Sequence, residues 1–167
     1  AGVNAIITNY PDMVKHVIEE ETENPFRKLL EEKIHPWMKE YVKDGYFTSK
    51  DGLNIHYYKA VNPDEKASIV MIHGFCEFFG KYHEVAWRLF EAGYSLFFIE
   101  LRGHGRSDRT FESSDQRIYV SDFREYEEDV DTFIHEIVEK ESLSHRYMLY
   151  AHSMGGAIAA LYLEDYE

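Results

Sequence analysis

Cysteine is nearly absent: Cys76 stands alone in 167 residues, so no internal disulfide can form and nothing demands an oxidising compartment. Positive charge is also short, with 18 Lys and Arg against 31 Asp and Glu, a formal net charge of −13, and no long basic block. Such a chain repels phosphate backbones, which excludes nucleic acid as an expected partner. No window approaches about 18 apolar residues, the length a membrane-crossing helix requires. The opening "AGVNAIITNYPDMVKHVIEEETEN" likewise lacks a basic stretch leading into an apolar one, as a secretory leader would have. The expected location is cytoplasmic, with peripheral contact at a membrane left open. Repeats and low-complexity tracts are missing too. What is present is 44% hydrophobic residues, 16% of the chain being aromatic, over a length suited to one hydrophobic core.

The first 43 residues read as a helical N-terminal extension rich in Glu and Lys. Asn24-Pro25 looks like a cap followed by a first-turn proline, and Pro36 should break or kink the stretch. From residue 44 to 167 the pattern changes. "YFTSKDGLNIHYYKA" sets Asp51-Gly52 between two β-prone runs, a hairpin signal. "SIVMIH" (68–73), "YSLFFIEL" (94–101) and "RYMLYA" are continuous apolar runs, as expected for strands covered on both faces of a parallel sheet. Between the first two, Tyr82, Val85, Ala86, Leu89 and Phe90 recur at helical spacing, and Gly93 is a stop. A second helix is expected from about Ser121 to Lys140. Ser121 or Asp122 would cap it, an apolar stripe would run from Val120 through Tyr126, Val130 and Phe133 to Ile137, and acids would fill the other face. The charge runs "EEETE" and "EYEEDVD" read as solvated helix faces. "GGAIAALYL" is apolar almost all round, as a helix enclosed by a larger fold would be. Strand alternating with helix predicts an α/β fold with an antiparallel start and a mostly parallel sheet flanked by helices.

The chemistry concentrates in "AHSMGG". Ser153 lies at the junction of a strand and a helix, where a nucleophile elbow has to be. The usual pattern is G-x-S-x-G, and here Ala151 holds the first position while Gly155 holds the last. A pattern this loose arises by chance in roughly one chain in ten of this length, so the junction carries the weight. The sharp turn excludes bulk two residues to either side of the serine, and Ala151 is small enough.

Taken with "HGFCEFFGKYHEVAWRLFEAGYSLFFIELRGHGRSDR", this segment resembles the α/β-hydrolase superfamily, specifically lysophospholipases of the L2 type and monoacylglycerol lipases. The likeness runs from about Tyr46 to the end. It implies an α/β-hydrolase sheet that stops here after the fifth strand and the elbow, within a protein about twice as long. It further implies a serine esterase of lipid metabolism with Ser153 as nucleophile and an oxyanion hole formed by the backbone N–H groups of Phe75 and Met154. His73-Gly74 would open the oxyanion loop, and "ELRGHGRS" would be structural, with Glu100 where Asp is more usual. The H-G-x-x-E form ending in Glu77 is the lipase-like variant, whereas peptidases of the superfamily carry H-G-G-P-G. Phe75, Phe78 and Phe79 are candidates to line an acyl-chain pocket. The implied substrate is a small lipid-like ester, a lysophospholipid or a monoacylglycerol.

In that fold the acid and then the histidine follow the serine. Only 14 residues follow Ser153, and none is histidine. The partners and the rest of the domain are therefore expected from a longer chain or another polypeptide. An apolar strand at an open sheet edge would otherwise be an aggregation hazard. The competing reading is a non-catalytic, hydrolase-like interaction module; within the enzyme class, peptidase and thioesterase remain. His73 and His152 are expected to be packed or hydrogen-bonded, and Cys76 to be a small buried hydrophobe. His83, His104 and His135 have no metal-ligand spacing, and the glycines of "GHG" do not form a dinucleotide loop. No metal or cofactor is expected.

Overall fold

A computed structural model of the protein describes residues 24–110 and 117–166. Two compact units meet between Lys39 and Glu40, a few residues ahead of the composition change. The N-terminal unit contains helix α1 (Pro25–Leu29), capped by Asn24, whose Oδ1 accepts from the Phe26 amide at 2.9 Å. The chain then passes through a π-turn (Leu30–Ile34) into α2 (His35–Tyr41). Pro36 has no N–H and its ring crowds the carbonyl four residues back, so widening the turn lets the helix continue. The proline therefore distorts the helix and does not end it. The run "EEETE" lies outside the described residues.

The second unit is a five-stranded sheet in the order β1-β2-β4-β3-β5: β1 (Lys43–Thr48), β2 (Asn54–Ala60), β3 (Ala67–Ile72), β4 (Tyr94–Ile99) and β5 (Tyr147–Ala151). The first two strands form the hairpin, with Thr48 opposite Asn54. Its turn is closed by Ser49 Oγ, which accepts from the Leu53 amide at 2.8 Å, and by Gly52 at φ +93°. β2 pairs antiparallel with β4, while β3 runs parallel to both β4 and β5. This is the α/β-hydrolase arrangement expected.

Helices cover both faces. A 3-10 turn (Phe79–Tyr82) and the helix that follows, α3 (His83–Glu91), pack Phe79 and Tyr82 of the turn and Ala86 and Phe90 of the helix on the side of the sheet that carries Phe98. On the other face, Val70, Ile72, Phe97 and Ile99 meet Tyr126, Val130 and Phe133 of α4 (Arg124–Phe133) and Ile158 of α6 (Met154–Asp165). Between them come a π-turn (Ile134–Val138) and the short α5 (Glu139–Glu141). Asp122 caps α4: its Oδ1 accepts from the Arg124 amide at 2.9 Å, and Glu125 reaches back to the Asp122 amide.

One expectation fails here, and two surfaces lie open. Among the described residues β5 pairs only with β3 and leaves Tyr147, Met148 and Tyr150 exposed, the open edge expected of a sheet that stops at this strand. α6 buries Gly155, Ile158 and Ala159 against this sheet and exposes Leu163. The run "EYEEDVD" is not a solvated face, since Glu127, Asp129 and Asp131 are buried. Each has a cationic or basic partner: Glu127 faces Arg124, Asp131 faces Lys50 and His135, and Arg102 on the loop after β4 binds Asp129 through two nitrogens, at 2.7 and 2.8 Å, and also Asp51 and Glu125. Burial disfavours the arginine's charge, but these carboxylates outweigh it and raise its pKa.

Candidate active site

The parallel strands β3 and β5 deliver two turns to the same place. β5 ends at Ala151, and Ser153 occupies the N-cap position of α6 with φ 54° and ψ −121°, a conformation that costs an L-residue on the order of 1–3 kcal/mol. Its neighbours hold it there. The His152 amide donates to Ile72 O at 3.1 Å, and the amides of Gly155 and Gly156 donate to His152 O and Ser153 O. A Cβ on Gly155 would lie 2.3 Å from Ile72 O and 2.7 Å from His73 O, so only glycine lets α6 begin this close to β3. The serine side chain makes no capping bond and is exposed. As the first residue of α6, Met154 has an amide with no carbonyl acceptor inside the helix.

The loop after β3 lies against this elbow. A Cβ on Gly74 would sit 3.0 Å from Ser153 Cβ and 3.2 Å from His152 Nδ1, so the backbone leading into the Phe75 amide runs alongside the serine. His73 is fixed at both ring nitrogens: Nδ1 donates to Gly74 O at 2.6 Å, and Nε2 accepts from the Leu101 amide at 3.0 Å. Burial pushes its pKa down to about 4, so it is a neutral structural residue with no free lone pair to act as a base. His152 Nδ1 is held by Glu77 at 3.1 Å. Glu77 Oε2 also accepts from the Gly74 amide and from the Tyr82 hydroxyl. With the Tyr82 bond the largest cause, these partners hold its pKa down at about 2.

Cys76 is exposed and stands at φ +56°, because the loop turns sharply there, with the Glu77 amide returning to Gly74 O. It is not the buried hydrophobe expected. The three phenylalanines part company. Phe75 and Phe78 are 56% and 51% exposed, whereas Phe79 is buried and stacks on Tyr58 with centroids 4.3 Å apart, so it belongs to the core. A cavity of about 200 Å³ opens beside the loop between Cys76, Glu77, Phe78, His104, Arg109 and Ile118.

The sequence reading missed the tie between Glu77 and His152, which lie 75 residues apart. It also missed a second polar cluster at the end of β4. There His56, fully buried, has Nδ1 at 3.0 Å from Glu100 Oε2 and Nε2 at 2.9 Å from Asp44 Oδ2, and the Arg106 amide donates to Glu100 as well. Two carboxylate acceptors favour a proton on each ring nitrogen, and these bonds outweigh burial to raise the pKa of His56. The acids Glu125 and Asp129, four apart along one helix beside apolar positions, were the available signal for the Arg102 cluster.

Residues 63–167 match the family described as serine aminopeptidase, S33. Lysophospholipase L2 of Escherichia coli is 34% identical over 119 residues, 71% of this chain and 34% of its own length. Monoacylglycerol lipase of Mycolicibacterium smegmatis is 34% identical over 99 residues, 59% of this chain and 33% of its own length. An α/β-hydrolase from Novosphingobium aromaticivorans superposes with a TM-score of 0.60 at 21% identity, covering 75% of this chain and 40% of that one. The chain thus spans about a third of the length of the curated relatives it matches. Among the described residues, no helix is long and apolar enough to cross a membrane.

Proposed function

Because the chain belongs to the serine aminopeptidase S33 family of α/β-hydrolases, we propose that it carries the nucleophile and oxyanion half of a serine hydrolase that cleaves carboxylic esters of lysophospholipids or monoacylglycerols. The observation that carries this reading is Ser153: exposed, at φ 54° on the turn from β5 into α6, and packed against the loop after β3. Ser153 Oγ attacks the ester carbonyl, and a histidine from outside these 167 residues takes its proton. The Met154 and Phe75 amides hold the developing oxyanion, each worth about 10²–10³ in rate. Collapse expels the alcohol, which takes the proton, and water releases the acid from the acyl-serine. The family description points to aminopeptidases, but His73-Gly74-Phe75-Cys76-Glu77 replaces H-G-G-P-G, and the curated relatives above are named as lipid esterases. Exposed Phe75 and Phe78 beside the loop favour a fatty acyl group, since each buried methylene adds about 0.8 kcal/mol.

The test uses a chain carrying the whole hydrolase domain. Ser153→Ala should abolish hydrolysis of p-nitrophenyl esters, and full activity in that variant overturns the assignment. Across acyl groups of increasing length kcat/KM should rise, with an aminoacyl anilide inert; a flat series with an active anilide turns the reading to a peptidase. A fluorophosphonate should label the 167-residue chain far more slowly than the whole domain, and equal rates would mean that the base lies within this chain.

A further inference from the structure

A single carboxylate oxygen joins the two turns of the site. Glu77 Oε2 accepts from the Gly74 amide at 2.8 Å in the oxyanion loop, from the Tyr82 hydroxyl at 2.5 Å at the foot of α3, and from His152 Nδ1 at 3.1 Å, one residue before Ser153. A carboxylate only accepts, so all three partners donate, and His152 carries its proton on Nδ1. The clamp encloses Gly74 on both sides: a Cβ there would meet Glu77 Oε2 at 2.9 Å and Ser153 Cβ at 3.0 Å. Loop and elbow therefore have a fixed separation that no single segment sets.

The charge of Glu77 runs against the chemistry. A carboxylate beside a developing oxyanion raises the energy of that anion, and Lys81 Nζ, 3.5 Å from Glu77 Oε1, offsets it only in part. A group that opposes the reaction electrostatically while bonding to both halves of the site acts through geometry. Because its partners hold its pKa at about 2, it stays ionised, and accepting, at all ordinary working pH values.

We propose that Glu77 is a positioning residue that sets the gap between the oxyanion-loop amides and Ser153. This rests on Ser153 being the nucleophile. Loss of the clamp lets the loop drift, and a displacement near 1 Å costs about 10²-fold in rate. Because the clamp acts on the oxyanion and not on substrate binding, the loss falls on kcat and leaves KM in place.

In the whole domain, Glu77→Ala should lower kcat about 10²-fold with KM little changed. It should weaken a trifluoromethyl ketone inhibitor, which forms the tetrahedral oxyanion, by the same factor as kcat. Glu77→Gln should recover most of the turnover, since an amide oxygen in the place of Oε2 can accept the same three bonds from the Gly74 amide, the Tyr82 hydroxyl and His152 Nδ1, while the NH₂ takes the place of Oε1. Should Glu77→Ala fail to fold, Tyr82→Phe removes one donor while its ring stays against Phe98, and a loss of about tenfold, again in kcat alone, is expected. Unchanged kcat in Glu77→Ala, or an inhibitor constant that does not follow kcat, overturns the proposal while an inactive Ser153→Ala leaves the nucleophile standing. Activity in Ser153→Ala overturns both.

Discussion

Two clusters of polar residues stand at the carboxyl ends of β4 and β5, the strands on either side of β3, and they treat their charges in opposite ways. At the end of β4, Arg102 and the adjoining His56 of β2 are buried, and every guanidinium and imidazole nitrogen faces a carboxylate. After β5, Ser153 is exposed, uncapped and held on a left-handed backbone. A polar group whose bonding is complete stabilises the fold and has nothing left to offer a substrate, whereas a strained group kept unbonded is available for chemistry. The contrast separates the structural histidines from the candidate nucleophile more sharply than residue type does.

The largest effect should come from breaking the elbow itself. Gly155→Val would drive a side chain into Ile72 O and His73 O, which are backbone and cannot swing aside. A cost on the order of 5 kcal/mol is expected, enough to leave little folded chain. A soluble Gly155→Val protein with an unchanged circular dichroism spectrum would show that the close approach of α6 to β3 is dispensable.

The buried side of the comparison breaks differently. Arg102→Met leaves Asp129, fully buried, facing Asp51 and Glu125 without a cation, which should cost about 3–5 kcal/mol in denaturant unfolding. Adding Asp129→Leu should restore part of the loss, because a buried pair is penalised for being broken more than for being absent. If the single and double variants are equally unstable, the cluster is not acting as a coupled unit.

A pH scan sharpens the contrast further. Burial lowers the pKa of His56, but its bonds to Glu100 and Asp44 outweigh that and leave the net value raised above 6.5. Its contribution is thus complete below about 6.5 and is lost as pH rises through the higher folded value. Asp44 is lowered by the His56 bond. Glu100 is lowered too, its bonds to His56 and the Arg106 amide overcoming burial, so the contribution of both acids fades only as pH falls through their lowered values. Stability from this network should form a plateau between about pH 4.5 and 6.5 and decline on both sides. His56→Leu, expected to cost about 2 kcal/mol on the plateau, should flatten the alkaline arm. An alkaline decline of equal size in the variant would assign that arm to other groups.

How much of this was legible in the sequence follows from how local each cause is. The hairpin at Asp51-Gly52, the order of strands and helices, and the Asp122 cap depend on residues within a few positions, so turn chemistry and periodicity carry them. The serine on its strand-to-helix junction was legible for the same reason. The burial of Asp129 beside Arg102, the bond from His56 to Glu100 and the tie from Glu77 to His152 each join residues 27 to 75 positions apart, and such pairings leave no period in the chain. The run that forms β5 does not say by itself whether its strand is central or at an edge, because an apolar run looks the same in both places. Phe79 entered the acyl-pocket candidates because its neighbours are aromatic, yet the 3-10 turn it begins points it inward.

Cys76 tests the comparison at its smallest scale, because it shares strain with Ser153 but not function. Both hold positive φ, 56° and 54°, and both are exposed. At Ser153 the side chain is the reagent; at Cys76 the turn needs only the backbone conformation. Glycine takes that conformation without the steric cost of about 1 kcal/mol borne by an L-residue, although its freer unfolded chain cancels part of the gain. Cys76→Gly should therefore change stability by less than about 1 kcal/mol, in the stabilising direction, a shift of a few degrees in Tm at most for a domain of this size. In a chain carrying the whole domain its ester turnover should stay within about twofold of the parent, because the thiol makes no bond that the loop relies on. A fall in kcat of the size expected for Ser153→Ala would move the nucleophile to the thiol and undo the distinction between the two strained residues.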